Sequence, residues 1–485
     1  MNNNFSNIYD FIFADFHIHS KYSIGSSKNN NFYNIFLSAY KKGISIIATG
    51  DILYKKWYNE FIDILSEQSK NIDNGLYLID LNKTSSYNNN FINFYFYPRF
   101  ILTTEVSLLY KENGKVKKNH ILIIFPSLKT VEKTYKKLTD LGLNLNSDGR
   151  PILGLSSKDL VYILKNIDED IFIIPAHIWT PWFSTLGEKS GYNSFYECFG
   201  ENIYKIYAIE TGLSTDPSMH WLFSDLDKFA LISNSDSHNV ENLGRNANIF
   251  NLKEIIEKNY PNLINKKKEF YFYNYLDCIN YKDIINSIKE YYLNNKFFGT
   301  LNLFPQEGKY YFDGHRNCNF KSSPEVSLHL NQICPICNKK LTKGVLHRIY
   351  ELKDRKSIDE KKNKKYYKNI VPFKEILNFC FDKKISKIKI EKIFVFFLTN
   401  IEKELYLLTF YDDKKFINLI EKNYILIQNF LNSNFFNDKN RLQNDSLNFI
   451  LNIFREKLPN ILKKIEEKSI QVDEGFDGKY GKITF

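Results

Sequence analysis

Along the first 250 residues, short apolar runs alternate with polar stretches and helix-period segments. The runs are Phe11–Phe16, Ile44–Ala48, Phe100–Leu102, Ile121–Phe125, Ile171–Ile174, Ile206–Ile209 and Phe229–Ile232. Runs of this length, separated by helix-sized segments, predict an α/β fold with a mostly parallel sheet. The stretch Val106–Tyr110, then Glu112-Asn113-Gly114-Lys115, then His120–Phe125, predicts an inserted antiparallel hairpin turning at Asn113-Gly114.

Residues 251–310 alternate helix-like stretches with one more strand, Gly299–Phe304. From Tyr310 to about Arg348 the apolar periodicity fades and Gly, His, Cys and Pro become frequent. A charged linker, Glu351–Lys368, leads to helical patterns as far as Lys468, and a short tail, Gly475–Ile483, follows. The expected organisation is a barrel-like α/β unit over residues 1–310, a small module over 311–350 and a mostly helical region over 351–485.

Composition changes this picture only through its distribution. A hydrophobic content of 43% with 12 prolines describes a folded chain. The net charge of +11 lies wholly in the second half: residues 1–250 carry 24 basic and 26 acidic side chains, residues 251–485 carry 42 and 29. Ten basic and two acidic residues fall between Lys361 and Ile390. That density suits a solvated helical face or a polyanion-binding surface equally well. No apolar run is long enough for a membrane span, and the Asn-rich start lacks a signal-peptide core. Six cysteines with one CxxC pair suit a reducing cytoplasm better than a disulfide framework.

The chemistry sits at the ends of the predicted strands. The first ends Asp15-Phe16-His17-Ile18-His19, where residues two apart share a face, so both imidazoles can reach one ion. Others end in Asp51, in Glu105, in Pro175-Ala176-His177 and in Ser235-Asp236-Ser237-His238, while His120 opens a strand. One such residue is usually structural; eight at successive strands point to a shared centre, because loops at the carboxyl ends of strands converge. Five imidazoles and three carboxylates exceed what one ion needs, so two or three divalent ions with a bridging carboxylate are expected. This mixed nitrogen–oxygen shell suits Zn, Mn or Fe rather than an all-oxygen cage.

His17-x-His19, Asp51, Glu105, His120, His177 and Asp236-x-His238 resemble the motifs of the polymerase-and-histidinol-phosphatase (PHP) superfamily. The resemblance implies a distorted (β/α)7 barrel with two or three metals, Zn, Mn or Mg. It implies that His17, His19, Glu105 and Asp236 hold one ion. Glu105 would bridge to a second ion on His120 and His177, and His238 with Asp51 would complete a third site. Tyr22 and Ser23 stand where many members carry a further His. Asp236, His238 and Glu105 are the expected catalytic residues.

Longer strings resemble one branch, endonuclease Q: Ala14 to Ser23, Ile174 to Ser184, Ile209 to Ser214, Asn234 to His238, Leu243 to Asn248 and Phe304 to Cys318. The likeness runs from about residue 11 to 350 and returns at the tail, whereas 355–470 matches poorly. It implies cleavage of DNA 5′ to deaminated bases (uracil, hypoxanthine, xanthine) or abasic sites, by metal-activated hydroxide with the base flipped out.

The loop Trp179 to Gly191 follows ligand His177 and offers Trp179, Trp182, Ser184, Ser190 and Gly191 as a base pocket; the alternative is tryptophans that only pack the barrel mouth. Lys21, Tyr22 and Arg245 flank ligands and could hold phosphates. His315-x-x-Cys318 and Cys334-x-x-Cys337 form two knuckles fifteen residues apart, which predicts a closed structural zinc site, with His329 and His347 as rivals for the fourth ligand. The expected partner is damaged DNA, with no membrane. The competing functions are a PHP-type phosphatase acting on a small monoester and a catalytically dead DNA-binding barrel.

Overall fold

The computed structural model describes residues 7–71, 73–84, 96–261, 276–362, 364–382, 384–435 and 449–485. Its strands are β1 (Phe11–Asp15), β2 (Ile44–Ala48), β3 (Leu76–Tyr77), β4 (Arg99–Glu112), β5 (Lys115–Phe125), β6 (Ile152–Leu153), β7 (Phe172–Pro175), β8 (Ala208–Glu210), β9 (Ala230–Ile232), β10 (Ala247–Asn251), β11 (Phe297–Leu303), β12 (Asp313–His315), β13 (Phe320–Ser322), β14 (Tyr366–Ile370), β15 (Gln471–Asp473) and β16 (Lys482–Thr484).

Ten strands form one curled, half-barrel sheet in the order β14-β11-β10-β1-β2-β4-β5-β7, with β3 and β6 also on β4. β8 and β9 make a separate parallel pair. Every residue of β1 and β2 is buried, as expected of strands covered on both faces. The helix Phe32–Lys42 joins them and turns Phe32, Ile35, Phe36, Ala39 and Tyr40 inward at helical spacing. Asn31 caps its start, and Gly43, in the left-handed region, ends it. A Cβ on Gly43 would lie 2.8 Å from the Cβ of Lys403, so close approach also demands glycine there.

The sheet is more mixed than the run pattern predicts. Its register sets β3, β5 and β10 against the other strands. For β5 the cause is the expected hairpin: Asn113 and Gly114 both have positive φ, which the two-residue turn needs. The hairpin is longer than predicted, because Thr103, Thr104 and Glu105 break the apolar run yet lie buried within β4. The Thr103 N–H donates to the Thr49 hydroxyl at 2.9 Å, and the Thr103 hydroxyl accepts from the Gly50 N–H at 3.1 Å.

The stretch expected as a charged linker ends in β14, which pairs parallel with β11. Its Tyr-Tyr-Lys-Asn-Ile sequence has too little alternation to be read as a strand. Helices Phe373–Phe381, Lys387–Asn400, Glu404–Phe410, Asp413–Lys422, Tyr424–Phe435 and Leu458–Glu466 make the C-terminal region mainly helical. Among the described residues, no helix is long and apolar enough to cross a membrane. Helix Glu404–Phe410 is buried throughout and closes over β1: the ring of Phe13 meets Tyr406 at 4.9 Å and Phe410 at 6.0 Å. The Tyr406 hydroxyl donates to the Phe11 carbonyl at 2.7 Å.

This seam yields a stability prediction. Phe13→Ala should cost about 3–5 kcal/mol in urea unfolding, whereas Tyr406→Phe, which loses one hydrogen bond, should cost about 1 kcal/mol. Comparable losses for the two variants would contradict this packing.

Candidate active site

After β1 the chain stays extended, held by a parallel bridge from Ile18 to Ser237 and by a bond from the His19 N–H to the Ser237 carbonyl at 2.9 Å. The imidazoles of His17 and His19 therefore share a face, with ring centroids 5.3 Å apart. Across the hairpin, Ser107 pairs with His120 and Glu105 with Leu122, so Glu105 and His120 project from one face. His120 thus reaches the site from mid-strand. His177 follows β7 and Asp236 follows β9, and both have positive φ, as does Asp51 after β2. Such strain at three candidate ligands fits a site that the surrounding fold over-determines. Gly212 is needed beside His177, whose Cβ lies 2.8 Å from where a side chain would begin.

Glu105 is the centre. Its Oε1 lies 3.0 Å from His120 Nδ1, 3.2 Å from His177 Nε2 and 3.5 Å from His17 Nε2. Its Oε2 lies 3.4 Å from His19 Nε2 and 3.1 Å from Arg150 Nη1. Asp236 Oδ1 stands 3.2 Å from His19 Nε2 and 3.8 Å from His238 Nδ1. Three groups, each with ligand atoms within 4.8 Å of one another, result: His17, His19 and Glu105; Glu105, His120 and His177; and His19, Asp236 and His238. Glu105 and His19 are each shared by two groups, and the two oxygens of Glu105 suit a carboxylate that bridges ions.

The electrostatics follow from crowding. Burial pushes the Glu105 carboxyl up, but His120, His17 and Arg150 overcome this and hold it well below the usual range. Asp236 is likewise driven up by burial and brought well below its ordinary value by His17, His19 and His238. Burial disfavours a charged His17, yet Glu210, Glu105 and Asp236 raise it well above an ordinary histidine, and His19 rises to about 9. Burial keeps His120 and His238 neutral, each near 4. Divalent ions would supply the positive charge that these carboxylates require and release the imidazole protons.

One buried atom tests that fit. His17 Nε2 is fully buried without a hydrogen-bond partner, and it points toward Glu105 and Asp236. Its Nδ1 donates to Glu210 at 3.0 Å, so the proton that an ion would displace is the one on Nε2, whose lone pair then faces the centre. The donor set therefore fits metal ions, and the residues named could hold them. Glu210 also accepts from the His177 N–H at 2.8 Å and from Asn234 Nδ2 at 2.8 Å. Sequence reasoning missed Glu210, although it ends the run Ile206–Ile209 in the same way that Asp51 ends another. Arg150 was missed as well; only its Asp148-Gly149-Arg150 loop hinted at it. A Cβ on Gly149 would come within 2.6 Å of Asp51 Oδ2, so glycine lets this loop approach.

Asp51 falls outside the three groups. It stands behind His19, with Oδ1 3.2 Å from Nδ1, while its Oδ2 accepts from the Ser20 N–H and the Ser23 hydroxyl. That places it where Glu210 stands for His17, as a carboxylate orienting an imidazole. Asp236, His238 and Arg150 stand at the open edge, 25%, 32% and 25% exposed, so an incoming molecule meets them first.

The expected substrate contacts divide. Trp179 is 1% exposed and packs on His220 and Phe223, and Ser184 and Ser190 are fully buried, bonded within their own loop. In this conformation none of the three can touch a base. Gly191 gives its carbonyl to Lys117. Lys21 is paired with Glu60 at 2.9 Å, and the Tyr22 hydroxyl donates to the same carboxylate. Arg245 donates to the Ser235 carbonyl at 2.8 Å and so props the backbone that carries Asp236. Trp182, 41% exposed, remains open to solvent.

A second group lies in the small module. His315 ends β12, Cys318 follows in the turn to β13, and Cys334 and Cys337 bracket a tight knuckle; their ligand atoms all lie within 4.8 Å. Burial opposes the Cys334 thiolate, but the N–H groups of Ile336 and Cys337 and the nearby thiols bring it to about 7. His347 is committed elsewhere, to Asp313 at 2.5 Å, and His329 is not in the group. The tail returns here: Phe476 bridges to Phe312, and Lys321 pairs with Asp473 and Glu474.

Two measurements check these sites. Glu210→Gln should weaken metal binding at the His17 site by about 10- to 100-fold in titrations; unchanged affinity would detach Glu210 from it. Cys334→Ser should lose one metal ion per chain in elemental analysis, and an unchanged metal count would refute the four-ligand group.

No protein-family model matches the chain. An uncharacterized protein of Methanocaldococcus jannaschii is 27% identical over 333 residues, 67% of this chain and 34% of that protein. An uncharacterized protein of Bacillus subtilis is 26% identical over 238 residues, 48% of this chain and 52% of that protein. The chain thus spans about a third and about half the length of these curated relatives. Two crystal structures are similar throughout. The lesion-specific endonuclease PfuEndoQ of Pyrococcus furiosus has a TM-score of 0.71 at 26% identity, over 98% of this chain and 95% of its own. An endonuclease Q complexed with a 27-mer duplex carrying an abasic lesion at the active site has a TM-score of 0.72 at 25% identity, over 98% and 96%. The likeness carried by the motifs is therefore matched by the fold: over 98% of its residues this chain is built as the endonuclease Q proteins are.

Proposed function

We propose that this chain is a metal-dependent DNA-repair endonuclease that hydrolyses the phosphodiester 5′ to deaminated bases (uracil, hypoxanthine, xanthine) or abasic sites. The observation that carries the reading is the Glu105-centred cluster of buried imidazoles and carboxylates, opening at Asp236 and His238, in a fold whose relative holds a lesion duplex at its active site. Apart from β14, the half-barrel sheet with its hairpin and the β8–β9 pair fit a distorted (β/α)7 barrel of the PHP type over residues 1–310. Residues 311–350 then form a structural zinc module, and 351–485 a basic, mostly helical region that adds phosphate contacts.

His17, His19, Glu105 and Asp236 would hold one ion, His120 and His177 a second through Glu105, and His238 a third. Bound there, Zn, Mn or Mg would supply Lewis-acid polarisation of phosphoryl oxygens and a lowered water pKa. Glu210 and Asp51 orient His17 and His19. The Nδ1 of His238 donates to the Asp236 carbonyl at 3.1 Å, which leaves Nε2 with a free lone pair at the open edge. Arg150, a quarter exposed beside Glu105, is a cation placed to meet a phosphate oxygen. Reading a damaged base requires taking it out of the stack, at a cost of a few kcal/mol that is lower for mismatched or missing bases.

The test offers the protein, with Mn, Mg or Zn, three kinds of substrate: uracil-, hypoxanthine- and abasic-containing duplexes, undamaged duplex, and a chromogenic phosphate monoester. Cutting confined to the damaged duplexes is expected; turnover of the monoester alone would instead make it a phosphatase, and binding without cutting a dead barrel. Asp236→Asn should lower cleavage by roughly 10²- to 10³-fold while leaving duplex affinity in gel-shift assays nearly unchanged.

A further inference from the structure

A cavity of about 700 Å³ lies in the seam between the barrel and the C-terminal helices. One wall is helix Phe32–Lys42 with the stretch 240–245 and Glu307. The other is the start of helix Phe373–Phe381, one face of helix Lys387–Asn400, and Glu404. None of its lining residues belongs to the candidate metal groups.

Five carboxylates and four cations line the cavity, and the cations are occupied. Lys374 pairs with Glu241 at 3.2 Å and with Glu391 at 2.6 Å, and Lys41 faces the same Glu391. Lys42 donates to the carbonyls of Glu241 and Leu243 at 2.6 and 2.7 Å and stands 3.5 Å from Glu404 Oε2. Arg245 gives its Nε and Nη2 protons to the carbonyls of Ser235 and Asp236.

Three carboxylates are thereby under-neutralised. Glu307 and Glu404 are 9% and 2% exposed, and Oε2 of each is buried with no hydrogen-bond partner. Among the described residues, no hydrogen bond or ion pair reaches the Glu375 carboxylate. Burial and Glu375 push Glu307 up to about 8, and burial and Glu404 raise Glu375. Acids that raise one another in this way leave room for a cation that the chain itself does not supply.

Their placement selects the kind of cation. The three come from separate elements, and they form no group with ligand atoms within 4.8 Å, as a compact metal ion would need. Apolar side chains, Leu37, Phe394, Val395 and Leu398, line the same space. Separated anionic points on a partly apolar wall match ammonium groups joined by methylene chains. The same carboxylates repel a phosphate.

We propose that the seam cavity binds a linear aliphatic polyamine, with its ammonium groups on Glu307, Glu375 and Glu404 and its methylenes along the apolar wall. The site is independent of the endonuclease reading. A bound amine joins Glu307, at the end of the barrel, to two C-terminal elements and so bridges the seam.

The experiment titrates spermidine and putrescine calorimetrically into the full chain, preloaded with Mn, at fixed ionic strength and without DNA. One spermidine per chain is expected. Glu307→Gln should weaken it about thirtyfold, and Glu375→Gln, on a more open side chain, about two- to fivefold. Glu467→Gln, a change at an exposed acid elsewhere, should leave the affinity unchanged. Spermidine should also raise the thermal midpoint of the native chain, and each variant's own melt shows that it is folded. If Glu307→Gln does not fold, Glu375→Gln carries the comparison. Affinity equal to native in the folded variants overturns the site, as does heat that follows ionic strength alone. Displacement of spermidine by an equal concentration of Mg would make the cavity a site for a compact ion and sink the polyamine.

Discussion

The buried carboxylate of Glu105 is the constraint on which the rest depends. An ionised carboxylate removed from water must be surrounded by positive charge or hydrogen-bond donors, or it takes up a proton. Here His17, His19, His120, His177 and Arg150 all lie within 3.5 Å of its two oxygens. Those groups come from separate segments of chain, so satisfying one carboxylate fixes the relative positions of β1, the β4–β5 hairpin, the 147–151 loop and the end of β7. Asp236 imposes the same demand from the end of β9.

Holding such a cluster takes a further layer of polar groups that never meet a substrate. Glu210 and Asp51 each bond an imidazole, Asn234 bonds Glu210, and Asp15 accepts from the Ser235 and Gly244 N–H groups. This layer is why Asp15, Asp51, Glu210 and Asn234 are fully buried behind the site. It is also why glycine stands at positions 149 and 212, where any side chain would collide with Asp51 or His177. The C-terminal region joins the same frame through β14 on β11 and through the rings of Tyr406 and Phe410 on β1. Away from this centre, three thiols gather with His315, their ligand atoms within 4.8 Å of one another.

The sequence by itself determined what depends on local pattern. Apolar runs located β1, β2, β5 and β7, Asn113-Gly114 located the hairpin, and spacing paired His17 with His19 and Cys334 with Cys337, because side-chain period and tight turns are short-range properties of the backbone. The eight nominated ligands stand in or directly behind one cluster: six follow strand ends, which converge on one side of the sheet, while Glu105 and His120 project from mid-strand on one face of the hairpin. Only the tertiary structure decided roles that depend on distance. It put Asp51 behind His19 and outside the three ligand groups, brought Glu210 and Arg150 in, grouped His315 rather than His347 with the thiols, and turned Trp179 inward and Trp182 outward. Those outcomes hinge on shifts of a few ångströms between segments distant in sequence, set by packing and by the neutralisation of buried charge, and no local pattern encodes them.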